Sequence, residues 1–189
     1  MRWTNDKTSR NIEFNCDQKL LVLLGSLVLL PSLLFASPST AAPSYSPSVV
    51  MFAQMMIPHH QQAVLISQWE LKQGLSPEVK KLASKIIKEQ SPEINQMMKW
   101  AESSMSMGHM GPMSGMVSQK NLQLLKSSKG KKFDLLYLRD MTSHHLGAIS
   151  AAKPFIHDSN TEVASLCKSI VRNQQAEINE IKVLVSKIS

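Results

Sequence analysis

The sequence is poor in cysteine, in aromatic residues and in tight-turn pairs. Aromatic residues form 5% of the 189 residues and no Asn-Gly pair occurs, so a fold built from β-hairpins is not predicted. Of the two cysteines, only Cys167 follows the apolar segment near the N-terminus, and one cysteine cannot form an internal disulfide. The core must therefore stabilise the fold. We expect Cys167 to be a small buried residue of that core, with a thiolate metal ligand as the alternative.

Signatures of catalysis are missing as well. No glutamate stands three residues before a histidine, so the Glu-x-x-His pairs of di-iron bundles are absent. The H-E-x-x-H motif of zinc proteases is also absent, and no serine or cysteine is marked as a nucleophile by its neighbours. We therefore expect a binding protein and not an enzyme.

Residues 1–41 have the pattern of a secretory signal peptide. A polar segment with four basic residues precedes the uncharged run Leu20–Ala36, and the small residues Ser39, Thr40 and Ala41 follow. We expect cleavage after Ala41. An uncleaved membrane anchor is the alternative, because an apolar run of 17 residues can just span a bilayer. Both interpretations place the rest of the chain outside the cytoplasm, in the periplasm or secreted.

The exported part, residues 42–189, carries 17 Lys and Arg against 11 Asp and Glu. Such a charge can indicate a nucleic-acid partner. Export argues against that partner, and the lysines are scattered over helix faces and do not form one block. We expect a solvated basic surface and no nucleic acid, with a membrane contact only if the N-terminal segment is uncleaved.

Helical periodicity fills most of the exported part. Residues 42–48 are a Pro/Ser linker, and residues 49–189 are predicted to form one helical domain. A first helix is predicted over Val49–Gly74. A second follows Ser76, a good N-cap before proline. A third is predicted over about 133–156, and a fourth follows a capping-box pattern at residues 159–162 and runs to the end.

The two halves of this domain repeat each other. The first and third helices match at an offset of 85 residues, where Phe52, Met56, His59, His60 and Ala63 correspond to Tyr137, Met141, His144, His145 and Ala148. The second and fourth match at an offset of 84, with Glu78, Val79, Leu82, Ile86, Gln90, Glu93, Ile94 and Asn95 corresponding to Glu162, Val163, Leu166, Ile170, Gln174, Glu177, Ile178 and Asn179. One hairpin cannot cover its own apolar stripe, but two can. We predict an all-α fold, a four-helix up-down bundle of two repeated hairpins.

The repeated motif places methionine and paired histidines on one helix face. Residues three and four apart are neighbours there, which predicts one candidate metal site per hairpin. A hairpin that turns near residue 75 brings His59 to the height of residue 91, beside acidic and amide side chains. A metal-binding histidine usually gives its other N–H to a carboxylate or carbonyl. The candidate ligands are Met56, His59, His60, Met141, His144 and His145, and the candidate partners behind them are Gln90, Glu93, Gln174 and Glu177.

The predicted loop between the hairpins, residues 104–119, is rich in methionine. It contains five methionines and one histidine within 12 residues, and its glycines, serines and proline cannot form a core. An adaptable hydrophobic binding surface is one interpretation. A soft-metal site is favoured, because thioethers suit Cu(I) and imidazole also suits copper. The further candidate ligands are Met105, Met107, His109, Met110, Met113 and Met116, with Met55, Met97 and Met98 nearby in the sequence. In an up-down bundle this loop would lie at the end where the first and third helices begin.

The doubled motif resembles a known family. The pattern F-x-x-x-M-x-x-H-H-x-x-A, with Tyr137 for phenylalanine in the second copy, and then L-x-x-x-I-x-x-x-Q-x-x-E-I, is similar to domain-of-unknown-function family 305. The resemblance covers nearly all of the exported chain. It implies a ferritin-like bundle, and it implies that the six repeated methionines and histidines bind metal. One branch of that family consists of exported proteins that bind copper and silver and support copper tolerance. The second copy has Asp140 where the first has Met55, so the second site is poorer in sulfur.

The sequence thus predicts an exported protein that binds copper and sequesters it or hands it on. Cu(I) is the expected ion, the histidine pairs could also take Cu(II), and silver would act as a mimic. Metal ions and copper efflux or carrier proteins are the expected partners. Two alternatives stay open: a helical partner-binding module without metal, and a copper-dependent enzyme, which would need an open coordination position.

Overall fold

The structure is a computed structural model that describes residues 45–102 and 111–188. All of these belong to one compact unit, Ala41–Ser189. The predictions for the signal peptide, for residues 42–44 of the linker, and for Met105, Met107, His109 and Met110 lie outside the described residues. In the part of the chain that is described, no helix is both long and apolar enough to cross a membrane.

The predicted all-helical bundle of two hairpins is confirmed. The described residues form five α-helices: α1 (Pro47–Gln73), α2 (Pro77–Ala101), α3 (Gln119–Lys126), α4 (Lys131–Ala152) and α5 (Thr161–Ile188). The first hairpin consists of α1 and α2, and the second of α4 and α5.

Serine caps both helices of the first hairpin. The Ser46 hydroxyl accepts the N–H of Val49, and Ser76 accepts the N–H of Val79. Each serine is followed by a proline, whose missing N–H has no role in the first turn. The predicted start of the second helix is therefore confirmed, and α1 begins two residues earlier than predicted.

The second hairpin differs from the prediction at its turn. Helix α4 ends at Ala152 and continues as a single 3-10 turn, Lys153–Phe155, so the predicted end near residue 156 was wrong. The capping box at residues 159–162 does not form as predicted. The side chain of Asn160 accepts the N–H of Glu162 at 3.0 Å and caps α5 in its place, because its short amide reaches the first free N–H groups.

Helix α3 was missed by the sequence analysis. It begins at Gln119, where the predicted loop ends, and Ser118 caps it by accepting the N–H of Asn121 at 3.2 Å. Leu125 is the one residue of α3 whose side chain is buried against the described part of the chain. A helix of eight residues shows too little periodicity in the sequence to be told from a loop. Burial of Leu125 against the rest of the bundle stabilises it.

Helices α1 and α4 pack antiparallel to each other. The hydroxyl groups of Ser67 and Tyr137 lie 2.8 Å apart, and the rings of Phe52 and Phe155 lie 4.8 Å apart. The start of α4 lies beside the α1–α2 turn, where the Gly130 N–H donates to the carbonyl of Gln73 at 2.7 Å. The expectation that the third helix begins at the same end as the first was therefore wrong. Between Ala101 and Lys131 the chain crosses from one end of the bundle to the other.

The core is divided by a polar layer. One apolar cluster lies toward the α1–α2 turn and includes Ile66, Leu82, Phe133, Leu138 and Met141. The other lies toward the opposite end and includes Phe52, Met56, Met97, Trp100 and Ile170. The residues between the two clusters along the four long helices are buried and polar: His59, His60, Gln90, Glu93, His144, His145, Gln174 and Glu177. Buried polar groups are costly unless they have partners, so this layer is the candidate functional site.

Candidate metal centre

Two histidines from different hairpins meet in the polar layer. The imidazole rings of His59 on α1 and His144 on α4 have centroids 3.6 Å apart with an interplanar angle of 31°. Both side chains are 0% exposed. None of the four ring nitrogens has a hydrogen-bond partner among the described residues. The pair therefore presents buried nitrogen atoms that the described protein groups do not satisfy.

Both rings are held in the neutral form. Burial, and then the neighbouring His60, lowers the pKa of His59 to about 3. The Ser114 backbone opposes these effects only partly. Burial, followed by the charges of neighbouring histidines, lowers the pKa of His144 well below its usual value. A neutral imidazole keeps a free lone pair, which is the form that binds a metal ion.

The flanking histidines each contact a carboxylate of the opposite helix in their own hairpin. His60 Nε2 lies 2.9 Å from Glu93 Oε2 in a hydrogen bond. His145 Nε2 lies 2.8 Å from Glu177 Oε2, although this contact is not aligned as a hydrogen bond. A carboxylate on one ring nitrogen fixes the orientation of the ring and leaves the other nitrogen free. In both rings that other nitrogen, Nδ1, has no partner among the described residues.

The two carboxylates differ in their surroundings. Glu177 is 1% exposed and lies 3.8 Å from Lys85 Nζ, which also reaches Glu180 at 3.7 Å. Burial and the nearby Glu177 raise the pKa of Glu89. Glu93 is 9% exposed. The second half of the site is thus more deeply buried and lies in a denser group of charges.

Gln90 and Gln174 complete the layer. They lie one turn before the two glutamates on α2 and α5, and each is 2% exposed. Neither the oxygen nor the nitrogen of either amide has a hydrogen-bond partner among the described residues. Such orphaned groups are normally satisfied by water or a ligand.

The candidate methionines have different surroundings. Met56 and Met141 are fully buried and belong to different apolar clusters, on opposite sides of the histidine layer. Met97 is also fully buried and packs in the same cluster as Met56. Met55 is half-buried, and Met98 is 45% exposed. As ligands of an ion these residues stay predictions.

The described end of the methionine-rich loop lies over the histidine pair. Met113 is half-buried and packs against the apolar cluster that contains Met56. The Met116 N–H donates to the carbonyl of Met113 at 3.3 Å, which forms a turn. Sequence reasoning identified these methionines. It missed Gln62, which is hydrogen-bonded to Val117, and Gly147, which lies against the Ser114 carbonyl. A glycine inside a strong helical pattern was the available signal for Gly147.

The donor set favours a soft ion. Among residues 45–102 and 111–188 no group of three or more His, Cys, Asp or Glu side chains is placed to hold a metal ion. An ion at the His59–His144 pair would therefore need a further ligand, and the thioethers of Met56 and Met141 lie in the apolar clusters on either side of the layer. Imidazole with thioether suits Cu(I) and Ag(I) better than hard cations.

Asp140, which stands where the first copy has Met55, and Cys167, the alternative thiolate ligand, have other surroundings. Asp140 lies 2.7 Å from Arg139 Nη2 and accepts a hydrogen bond from Asn121. Cys167 is fully buried, and burial raises the pKa of its thiol to about 12. A thiol with that pKa stays protonated and packs as a small apolar group, which favours the core role over the thiolate-ligand alternative.

Fold and site together define a helical bundle of two repeated hairpins with a buried histidine layer at their interface. The model of the family described as "Domain of unknown function (DUF305)" matches residues 50–185. The chain belongs to this family. A comparison with curated proteins finds no match.

Several solved structures are similar to the chain. A DUF305 fragment from Deinococcus radiodurans is 27% identical, with 77% of this chain and 99% of that chain covered and a TM-score of 0.66. CopM in its Cu(I)-bound form is 29% identical, with coverages of 74% and 96% and a TM-score of 0.62. CopM in its Cu(II)-bound form is 30% identical, with coverages of 75% and 97% and a TM-score of 0.62.

Proposed function

We propose that this protein binds copper or silver ions outside the cytoplasm and sequesters them or hands them on. The observation that carries the proposal is the buried His59–His144 pair. Its rings are neutral, and their four nitrogens have no partner among the described residues. Leaving buried polar atoms unsatisfied costs about 1–3 kcal/mol each. A bound ion would remove that cost.

The relatives support this proposal. Structures of CopM have been solved with Cu(I), with Cu(II) and with silver. They align with 74–75% of this chain. CopM thus binds copper in both oxidation states. A site that combines imidazole and thioether ligands is suited to both. The extracytoplasmic location rests on the signal-peptide pattern of residues 1–41. Efflux or carrier proteins are the partners we propose for transfer of the ion.

The site suits binding better than catalysis. Both central histidines are fully buried, whereas a copper enzyme needs an open position that substrate can reach. We therefore infer a carrier or store of the ion.

A competition titration tests the proposed function. The protein would be titrated anaerobically with Cu(I), and in parallel with Ag(I), against a chelator of known affinity. We expect the double variant His59→Gln/His144→Gln to bind at least about tenfold more weakly than the wild type. His157→Gln changes an exposed histidine and serves as the control. Equal affinity of all three proteins would contradict the assignment of the site.

A further inference from the structure

Gln62 holds the chain segment that lies over the histidine pair. We call this segment, Gly111–Val117, the strap. Gln62 follows His59 by three residues on α1 and is half-buried. Its Oε1 accepts the N–H of Val117 at 2.6 Å, and its Nε2 donates to the carbonyl of Val117 at 3.1 Å. Two hydrogen bonds from one amide to one residue fix both the position and the orientation of the strap backbone.

The strap also touches α4 with its backbone. Gly115 has φ +86°, a conformation that favours glycine. A Cβ atom at Gly115 would lie 2.5 Å from the Ser143 carbonyl oxygen and 3.2 Å from the Cα of His144. A Cβ atom at Gly147 would overlap the carbonyl oxygen of Ser114. Both glycines are needed for this approach, because any larger residue would separate the strap from α4.

These contacts bridge the two helices whose histidines face each other. The strap is fixed to α1 at Gln62, beside His59, and it rests on α4 at Gly147, beside His144. Both histidine rings are 0% exposed, so an ion can reach them only if some covering group moves. The strap is the covering group with the least packing of its own, since several of its residues are exposed or half-buried.

We propose that Gln62 is a positioning residue that keeps the strap closed over the His59–His144 pair and thereby sets how fast a soft monovalent ion enters and leaves. This inference rests on the proposed function and adds the control of ion exchange. Breaking the Gln62–Val117 contact should increase the fraction of time for which the strap is open. Entry and release should both become faster, while the ligands themselves are unchanged.

Release kinetics test the inference. The full chain would be loaded anaerobically with Cu(I), or with Ag(I) as a redox-inert probe, and mixed with excess chelator in a stopped-flow instrument. Gln62→Leu removes both hydrogen bonds and keeps an apolar stem of similar size. We expect its release rate to rise on the order of tenfold, as two lost hydrogen bonds imply. Gln61→Leu is the matched control, because Gln61 is the exposed neighbour on the same helix.

A second variant opens the strap without touching Gln62. Gly147→Ala places a methyl group against the Ser114 carbonyl and should push the strap away from α4. Alanine is the better helix former, so α4 itself should not be weakened. We expect Gly147→Ala to release the ion faster as well. In the metal-free protein, amide exchange at Val117 gives an independent measure, since its N–H is protected by Gln62 in the wild type and exposed in Gln62→Leu.

The outcomes separate the two proposals. Faster release in Gln62→Leu and Gly147→Ala, with Gln61→Leu like the wild type, supports the inference. Tight binding with equal release rates in all four proteins overturns it and leaves the proposed function intact, whatever the exchange at Val117. Failure of the wild type to bind Cu(I) or Ag(I) overturns the proposed function, and the inference with it.

Discussion

The rings of His59 and His144 pack against each other across the interface of the two repeats, with centroids 3.6 Å apart. The doubled histidine motif therefore brings its two copies together at one place. Each hairpin contributes one central ring and one flanking ring, His60 or His145, that contacts a glutamate. The arrangement predicts one shared centre between the hairpins, where the sequence motif alone suggested a separate site in each.

The buried His59 predicts loss of stability in acid. Its pKa is lowered to about 3 in the folded protein, whereas the unfolded chain has the usual value near 6.5. Between these values the unfolded state binds more protons, so stability is present above pH 6.5 and is lost as pH falls toward 3. One such group contributes a slope of at most about 1.4 kcal/mol per pH unit. Melting temperatures of the metal-free protein between pH 4 and pH 7 would measure it.

The variant His59→Gln should flatten this slope because glutamine does not titrate. His157→Gln, a change at an exposed histidine, should leave the slope as it is in the wild type. The prediction fails if His59→Gln and the wild type lose stability in parallel as the pH falls.

A second buried group predicts the opposite pH dependence at the α1–α2 turn. Burial, followed by the nearby Asp134, raises the pKa of Glu70 to about 8. Asp134 already accepts the N–H groups of Leu75 and Ser76 at 2.8 and 2.9 Å, so Glu70 is the carboxyl that keeps the proton. The folded state then binds more protons than the unfolded state between about pH 4.5 and 8. Stability is fully present below this window and decreases as pH rises through it.

We expect Glu70→Gln to remove this loss, because the amide can donate to Asp134 at every pH. The measurement is the free energy of unfolding in denaturant at pH 5.5 and at pH 8.5, for the wild type and the variant. Glu102→Gln, at an exposed position, is the control. A wild type that is equally stable at both pH values would show that Glu70 does not hold its proton.

The carboxylates behind the flanking histidines predict a graded loss of metal affinity. Glu93→Gln should weaken Cu(I) binding on the order of 10- to 100-fold, because the amide orients His60 less strongly than the carboxylate does. The fold should survive, since glutamine has nearly the same size and suits a helix. Glu177→Gln should do less damage, because the contact of Glu177 with His145 is not aligned as a hydrogen bond, whereas that of Glu93 with His60 is. Affinity and thermal unfolding would be measured in parallel.

Two results would change this interpretation. If Glu93→Gln keeps full affinity but melts at a lower temperature, the carboxylate is only a contact between helices. If Glu177→Gln weakens binding more than Glu93→Gln does, the deeper burial of Glu177 outweighs the poorer alignment of its contact with His145.

The strap methionines predict selectivity for soft ions. Met113→Leu/Met116→Leu keeps apolar side chains of similar size and removes two thioethers. We expect weaker binding of Cu(I) and Ag(I) and unchanged binding of Zn(II), because thioether is a soft ligand. Met51→Leu changes a methionine that is 49% exposed on α1 and should have no effect. Equal Cu(I) affinity in the strap variant and the Met51 variant would remove these two methionines from the site.

The bundle could be predicted from the sequence because its main signals are local. An apolar residue every three or four positions and a serine before a proline are properties of a helix and of its first turn. The helix that follows Ser76 was found in this way. The signals failed where a competing local contact decided the end of a helix. The Asn160 side chain, and not Ser159, caps the start of α5, and α4 ends in a 3-10 turn that contains Pro154.

The sequence by itself determined that four histidines and their glutamates would face the interior at one height, because a helical repeat fixes which residues share a face. Only the tertiary structure decided which of them meet. The direction of α4 depends on the crossover between Ala101 and Lys131, and on contacts such as Gly147 against Ser114 that join residues far apart in the chain. No periodicity encodes such a contact. The antiparallel packing of α1 and α4 therefore places His59 against His144, and this pairing could not be predicted from either motif alone.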